Sequence, residues 1–541
     1  MRLTEEERTT LGTVAASLVT PPKTSALCAY GSKVAGYARP DSDYDLIIVA
    51  KKFGEGVRYK YVDKPMAVSA LIVDEELLAQ DARSSSLGEF VVGRFLNVYE
   101  PIANAKLLHT IEREYKMRVI VEALLELSSD YGDFCRHFLV PFDYFLFDKL
   151  RKRSVIYPPA LYSYVKTYSC SLGGENRALS AEGFKDAAES LLLRGFFKIE
   201  NGSVRIIPEK MKADAFTKVQ SLFALTTRGV TQYAVHGYAG RVRLSVFRKE
   251  AQSKLRRMRE RPDPMPELEH PRSLLRLEEG VMVPDASQLE KEVAKVLGYN
   301  EFTVKERQIG DSYSTTSVLT FTGGGRETSI VLKNFSDVRS LKWAFLGVWA
   351  AAANKFAMTP LARMEREYAV TRALRLSGVL VPSIIAVAPD VRILVKEFVE
   401  GPTLSKVIDD FFRGECSGLE NVSTYGRLLA KIHATGYALG DAKASNVIVC
   451  RRGLLLTDLE QAVPDGDIAW DLAEFVYYTA KLSTREREME RVARAFLEAY
   501  ASDGDKKVVA RARHAKYLSP FQPFLMPGMA KTLRGLMNGF A

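Results

Sequence analysis

Four short β-rich runs follow one another near the start of the chain: SALCAY (25–30), YDLIIVA (44–50), VRYKYV (57–62) and MAVSALIVD (66–74). Runs of this length, rich in β-branched and aromatic residues and bounded by Gly, Pro and Asp, predict strands. From Glu76 onward the spacing turns helical, and HTIEREYKMRVIVEALLEL (109–127) repeats apolar residues at helical intervals. A later helical stretch stops at Arg194-Gly195 and is followed by FFKIE, NGS and VRIIP. Asn201-Gly202 between two apolar runs predicts a tight hairpin. Over 249–280 a basic amphipathic stretch gives way to Pro262, Pro264, Pro266 and Pro271, which interrupt any helix and read as a linker. From about residue 281 strands and helices alternate again, and after Leu482 the pattern is mostly helical.

A chain of 541 residues is too long for one core. Helix followed by hairpin is the tail of a winged helix, so the pattern predicts a multidomain α+β protein. Its parts are 1–150, a winged-helix-like basic domain at 151–250, a linker at 251–280, and 281–541. Hydrophobic residues make up 47% and charged residues 26%, an ordinary globular balance. No run of 18 apolar residues predicts a membrane span. The segment MRLTEEERTTLGTV lacks the basic-then-apolar layout of a signal peptide. Cys28, Cys135, Cys170, Cys416 and Cys450 lie far apart with no CxxC pair, which excludes a disulfide framework and a zinc ribbon and fits a reducing cytoplasm. The net charge of +10 is local: residues 205–261 hold fourteen Lys/Arg against four Asp/Glu. Arg241, Arg243, Arg248, Lys254, Arg256 and Arg257, with Lys249 and Arg259, are candidates to track a phosphate backbone. Tyr233, Tyr238 and Phe247 are interleaved with them as candidates to stack on bases.

Two groups of residues carry candidate chemistry. In the first, Gly31-Ser32, Gly36 and Asp43-Tyr44-Asp45 enter the strand DLIIVA. Alternation places Asp43 and Asp45 on one face, where both can hold Mg²⁺, and Gly31-Ser32 lets backbone approach a triphosphate. This stretch resembles the signature of the polymerase-beta-like nucleotidyltransferases, which implies that fold for 1–150. Activity in that family needs a third carboxylate on a neighbouring strand. The best-placed strand, MAVSALIV, carries Ser69 at its centre, with Asp63 and Asp74 at its edges. The expectation is a nucleotidyltransferase fold retained for gripping RNA, with an active nucleotidyltransferase as the alternative.

In the second group, LLAKIHATGYALGDAKASNVIV (428–449) and LLLTDLEQA (454–462) resemble the catalytic core of the protein-kinase-like superfamily, in its compact RIO-type and KEOPS-kinase form. The resemblance implies a bilobal fold that uses ATP and Mg²⁺. Asp441 would orient the acceptor hydroxyl, Lys443 would steady the γ-phosphate, and Asn446 and Asp458 would hold the metal. Upstream, Lys333 in SIVLKNF would hold the α/β-phosphates with Glu367 as its partner and Glu365 as runner-up. Gly310 would lie in the phosphate-covering loop, and the backbone from Glu397 to Val399 would meet adenine. Asp471 would brace the catalytic loop, and His433 is a structural hydrogen-bonder. Gly440 and Leu459-Glu460 depart from the usual Arg and Phe-Gly.

Thirteen positions from Asp458 to Asp471 leave no room for a peptide-docking activation segment. With the basic stretch, the whole resembles the archaeal tRNA 2′-hydroxyl kinases related to RIO kinases. That implies transfer of the ATP γ-phosphate to a ribose hydroxyl of an RNA, tRNA in that family, in the cytoplasm. The alternatives are a RIO/KEOPS-like Ser/Thr protein kinase or ATPase, and a non-enzymatic RNA scaffold.

Overall fold

A computed structural model describes residues 3–19, 23–158, 160–211, 267–309, 316–335, 359–415, 419–483 and 485–540. The chain forms two compact units, 1–276 and 277–541. Gly310 and all the basic candidates from Arg241 to Arg257 lie outside the described residues.

The first unit is built on a five-stranded sheet of β1 (Thr24–Tyr30), β2 (Tyr44–Ala50), β3 (Val57–Val62), β4 (Val68–Asp74) and β5 (Glu100–Ala103), in the order β3-β4-β2-β1-β5. β2 and β4 run parallel and the other pairs antiparallel. The apolar run LIIV in β2 is buried on both faces. Helix Glu5–Leu18 covers one face through Leu11, Val14 and Ala15. Its start is fixed by a capping box in which the Thr4 hydroxyl accepts the Glu7 N–H and the Glu7 carboxylate accepts the Thr4 N–H at 2.7 Å. Helices Glu75–Ser84 and Ala105–Tyr131 pack against the same sheet.

A second sheet in this unit draws on residues from both sides of position 150. β6 (Phe138–Pro141) pairs with β8 (Ser203–Ile206), which pairs with β7 (Phe197–Glu200) across the Asn201-Gly202 turn. Both turn residues have positive φ, 50° and 70°, as a tight hairpin requires. Helices Phe142–Ile156, Ala160–Ser169 and Gly173–Leu191 lie between β6 and β7 in the chain.

Of the stretch read as a linker, 251–280, residues 267–280 are described, and they are packed in part. Leu268, Pro271 and Leu275 are buried, and Arg177 and Arg272 pair with Glu269 and Asp130. Pro271 opens the short turn Pro271–Leu274, and the apolar side chains around it gain by burial. β9 (Arg276–Leu277) marks the passage to the second unit, where Glu279 already bonds the Ile384 N–H at 2.9 Å.

The second unit opens on a six-stranded sheet of β10 (Val281–Met282), β11 (Thr303–Ile309), β12 (Thr316–Gly323), β13 (Arg326–Asn334), β14 (Ile384–Ala388) and β15 (Ile393–Glu397), ordered β10-β14-β15-β13-β12-β11. Helix Pro360–Leu376 accompanies it, started by Thr359 as N-cap and Pro360 in the first turn. The rest is helical around a core of Tyr425, Phe475 and Phe496, with the two phenylalanine rings 4.1 Å apart. Two small two-stranded sheets interrupt it: β16 (Tyr437–Ala438) with β19 (Val463–Pro464), and the hairpin of β17 (Val447–Cys450) with β18 (Gly453–Leu456). Helices Leu419–Ala434 and Glu486–Asp503 approach closely at Gly426, where a Cβ would strike the Phe496 carbonyl.

One position in the first unit gives a direct test. Gly31 has φ +78°, and a Cβ there would overlap Asp45 Oδ2. Gly31→Ala is therefore expected to destabilise this unit by about 1–3 kcal/mol, from backbone strain and displacement of the carboxylate. A thermal melt of the full chain unchanged from wild type would refute this.

Candidate active site

Lys333 lies near the end of β13, paired with Thr316 on one side and Leu394 on the other. Its ammonium sits 2.6 Å from Glu367 Oε2, 2.6 Å from Asp458 Oδ1 and 3.0 Å from Glu460 Oε2. Glu367 is fully buried on helix Pro360–Leu376, and its other oxygen is taken by Lys396 of β15. Arg363 reaches Glu460 at 3.4 Å. Three acids thus meet three bases in a largely dry site.

Burying an isolated ion costs several kcal/mol, so the cluster stands only because every charge is matched. Burial alone would lower the Lys333 pKa, but Asp458, Glu367 and Glu460 hold it charged and well above the ordinary lysine value. Burial would raise Glu367, and Lys333 with Lys396 reverse this and hold it below the usual carboxylate range. Asp458 is held down against burial in the same way, chiefly by Lys333. Glu460 goes the other way, pushed up by burial.

Asp441, Lys443 and Asn446 sit on a loop whose backbone is braced by side chains. Asp471 Oδ2 accepts the Leu439 N–H at 2.6 Å and Oδ1 the Gly440 N–H at 2.8 Å. Glu474 accepts the Ala442 N–H at 2.8 Å, Trp470 Nε1 donates to the Gly440 carbonyl, and the Tyr425 hydroxyl donates to the Ala442 carbonyl. His433 bridges Asp471 and Tyr500 at 3.0 and 2.8 Å, a structural position. Gly440 takes φ +70° with its Cα against the Gln461 carbonyl, a place no larger residue fits without strain. At the open end of the loop Lys443 pairs with Asp441 and lies 3.9 Å from Glu474. Burial would lower Lys443, but Asp441 and Glu474 hold it charged.

A cavity of about 350 Å³ joins these parts, lined among others by Lys333, Lys396, Glu397, Val399, Asn446 and Asp458. Its size and mixed lining suit a nucleotide. Asn446 donates its amide nitrogen to the Asp441 carbonyl at 3.0 Å, so its side-chain oxygen is the atom left to meet a cation. With the Asp458 carboxylate this makes a hard oxygen donor set, the kind Mg²⁺ takes. Glu367, Asp458 and Glu460 also bring carboxylate oxygens within 4.8 Å of one another.

Of the residues singled out in the sequence, Lys333, Glu367 and Asp458 touch, and Glu367 rather than Glu365 meets the lysine. Lys333, Glu397, Val399, Asn446 and Asp458 share the cavity, while Asp441 and Lys443 stand beside it, tied through Asn446. The Glu397 side chain turns to Arg452 at 2.9 Å, leaving only its backbone for a ligand. Sequence reasoning missed Lys396, Glu460 and Glu474. The available signal was a charged residue inside an otherwise apolar run, as in ILVKEF.

The Asp43–Asp45 group in the first unit differs. Asp45 pairs in register with Ser69, so no acid stands opposite it on β4. Asp74 cannot substitute: it sits at the far end of β4 against Ala50 and caps the next helix, accepting the Glu76, Leu77 and Phe53 N–H groups. Burial and the neighbouring Asp43 push Asp45 up to about 7, while Arg94 pulls the other way. Arg94 is itself bonded to Tyr30 at 3.0 Å, to Tyr59 and to the Phe90 carbonyl.

No protein-family model matches the chain. Among curated proteins it is similar to the "Probable serine/threonine-protein kinase BUD32 homolog" of Archaeoglobus fulgidus, 27% identical over 154 residues, covering 28% of this chain and 73% of that protein. A solved structure of WaaP in complex with acyl carrier protein aligns over 46% of this chain and 98% of its own at 13% identity, with a TM-score of 0.28, too loose a likeness to build on. Among the described residues no helix is long and apolar enough to cross a membrane. The likeness to the BUD32 homolog, though weak and partial, supports a kinase-like phosphotransferase domain in this chain.

Proposed function

We propose that the chain transfers the γ-phosphate of ATP to a ribose hydroxyl of RNA, with tRNA as the substrate. The observation that carries the phosphotransfer is the joining of Lys333, Glu367 and Asp458 to Asp441 and Lys443 through one cavity and the Asn446 side chain. In this reading Lys333, freed from Asp458, holds the α/β-phosphates, and Glu367 keeps the lysine in place. The backbone from Glu397 to Val399 meets the base. Asp458 and Asn446 would hold Mg²⁺, which when bound neutralises charge on the phosphates. Asp441 orients the acceptor hydroxyl and takes its proton. Lys443, bonded to Asp441 and charged, stands ready for the transferred group.

Two observations favour a folded RNA over an extended peptide. Residues 459–467 are short and largely tied down: Leu459, Glu460, Gln461 and Ala462 are buried, Val463–Pro464 pair with β16, and Asp467 caps the next helix. The chain also carries its excess positive charge in one stretch, 205–261. In the first unit, Ser69 opposite Asp45 favours a nucleotidyltransferase-like sheet that binds without two-metal chemistry. The order of β6, three helices and the β7–β8 hairpin is what supports a winged-helix-like element.

The test is to incubate the full chain with γ-labelled ATP, Mg²⁺ and either total tRNA or a generic protein, beside Asp441→Ala. Label internal to tRNA after nuclease digestion, absent with the variant, is the expected result. Label only on protein would replace this reading with a Ser/Thr kinase.

A further inference from the structure

Helix Ile468–Ala480 presents Asp471, Glu474 and Tyr478 at spacings of three and four, hence on one face. The catalytic loop runs along that face in order. Asp471 holds residues 439 and 440, Glu474 holds 442, and the Tyr478 ring lies 5.1 Å from Lys443 Nζ. Tyr478 is partly exposed, where the face emerges from beneath the loop. Beyond it Lys481 Nζ stands 3.4 Å from the Tyr478 ring centre and 5.9 Å from that of Phe524. The Phe524 side chain is 61% exposed although large and apolar. Aromatic rings alternating with ammonium groups therefore lead away from Asp441 without a break.

We propose that Tyr478, Lys481 and Phe524 form the acceptor platform, on which an unpaired nucleotide next to the reacting ribose stacks. This rests on the RNA-kinase reading and names the part of the RNA the site would hold. The exposed Phe524 ring offers a π-face that any base can cover, Tyr478 holds Lys481 beside it, and Lys481 offers a charge for the adjoining phosphate. An internal hydroxyl is a poor handle by itself. Holding the neighbouring base and phosphate would set the hydroxyl against Asp441, which is where positioning gains most. The occupant that matches both the rings and the positive charge is a single-stranded polynucleotide segment.

The experiment uses the full chain and a short single-stranded RNA carrying one 2-aminopurine, whose fluorescence falls on stacking. Wild type is expected to quench the probe, and Asp441→Ala to quench it equally. Phe524→Ala is expected to weaken RNA binding about tenfold with loss of quenching, and Phe524→Trp to restore both. Phe524 is chosen because it is 61% exposed, and Lys481→Gln gives an independent check through a shallower salt dependence of binding. If wild type phosphorylates RNA while Phe524→Ala and Lys481→Gln bind and quench as wild type does, the platform is wrong and the RNA-kinase reading stands. If wild type labels protein alone and does not quench the probe, both fall.

Discussion

Asp441→Ala is expected to reduce phosphoryl transfer by about 10²–10⁴-fold, the range a positioned general base contributes, while nucleotide affinity stays within a few-fold of wild type. The separation follows from placement. Asp441 stands beside the cavity and meets it only through its carbonyl, which accepts the Asn446 amide. That bond is made by backbone and survives truncation of the side chain. The bracing of the loop also survives, because Asp471 and Glu474 hold the N–H groups of Leu439, Gly440 and Ala442 and none of these bonds involves the Asp441 carboxylate. Lys443 loses its first partner but keeps Glu474, 3.9 Å away. Single-turnover transfer and ATP titration, measured separately, check the two halves. A variant that loses affinity and rate together would place Asp441 in nucleotide binding and remove it from the role of base.

Glu367→Gln is expected to cost the second unit about 3–5 kcal/mol, the usual penalty for breaking a buried ion pair from one side. Lys396 is 5% exposed and pairs with Glu367, so it would be left buried and charged against a neutral amide. Lys333 would keep Asp458 and Glu460. The pH dependence has a definite sign. Glu367 titrates below its ordinary value of 4.5 in the folded chain. Its stabilisation is therefore complete above that value and disappears as pH falls through the lowered folded pKa. Wild type should lose stability along this acid limb more steeply than Glu367→Gln. Glu460 titrates in the opposite sense, but both proteins contain it. Denaturant melts at pH 4 and 7 would show this, and an equal deficit at both would contradict it.

Much of the candidate site was legible in the chain because its signals are local. A loop that carries Asp441, Lys443 and Asn446 within six residues places them together whatever surrounds it. A strand with Lys333 near its end, followed by a helix with Glu367, leaves few partners for either. The choice between Glu365 and Glu367 was also open to helical spacing, since only one of them can lie on the covered face. The hairpin at Asn201-Gly202 formed where turn chemistry placed it.

What could not be read is what depends on contacts made far along the chain. Lys396 meets Glu367 across 29 positions, and Lys333 meets Asp458 across 125. The run ILVKEF marks Lys396 as a charge among apolar residues but does not name its partner, and nothing local distinguishes Glu460 and Glu474 from solvated acids. The packing of 267–280 was hidden for a similar reason: prolines signal where a helix stops but not whether the chain then docks.

The sequence by itself determined the order of the elements, the strand that holds Lys333 and the loop that holds Asp441, because strand alternation, helical period and turn chemistry act over a few residues. Only the tertiary structure decided that Ser69 stands opposite Asp45, that three acids and three bases close into one cluster buried except at Asp458, and that Tyr478, Lys481 and Phe524 continue the surface beside Asp441. Burial makes that difference, since the same charges and rings are ordinary in water and acquire a role only where the fold brings them together.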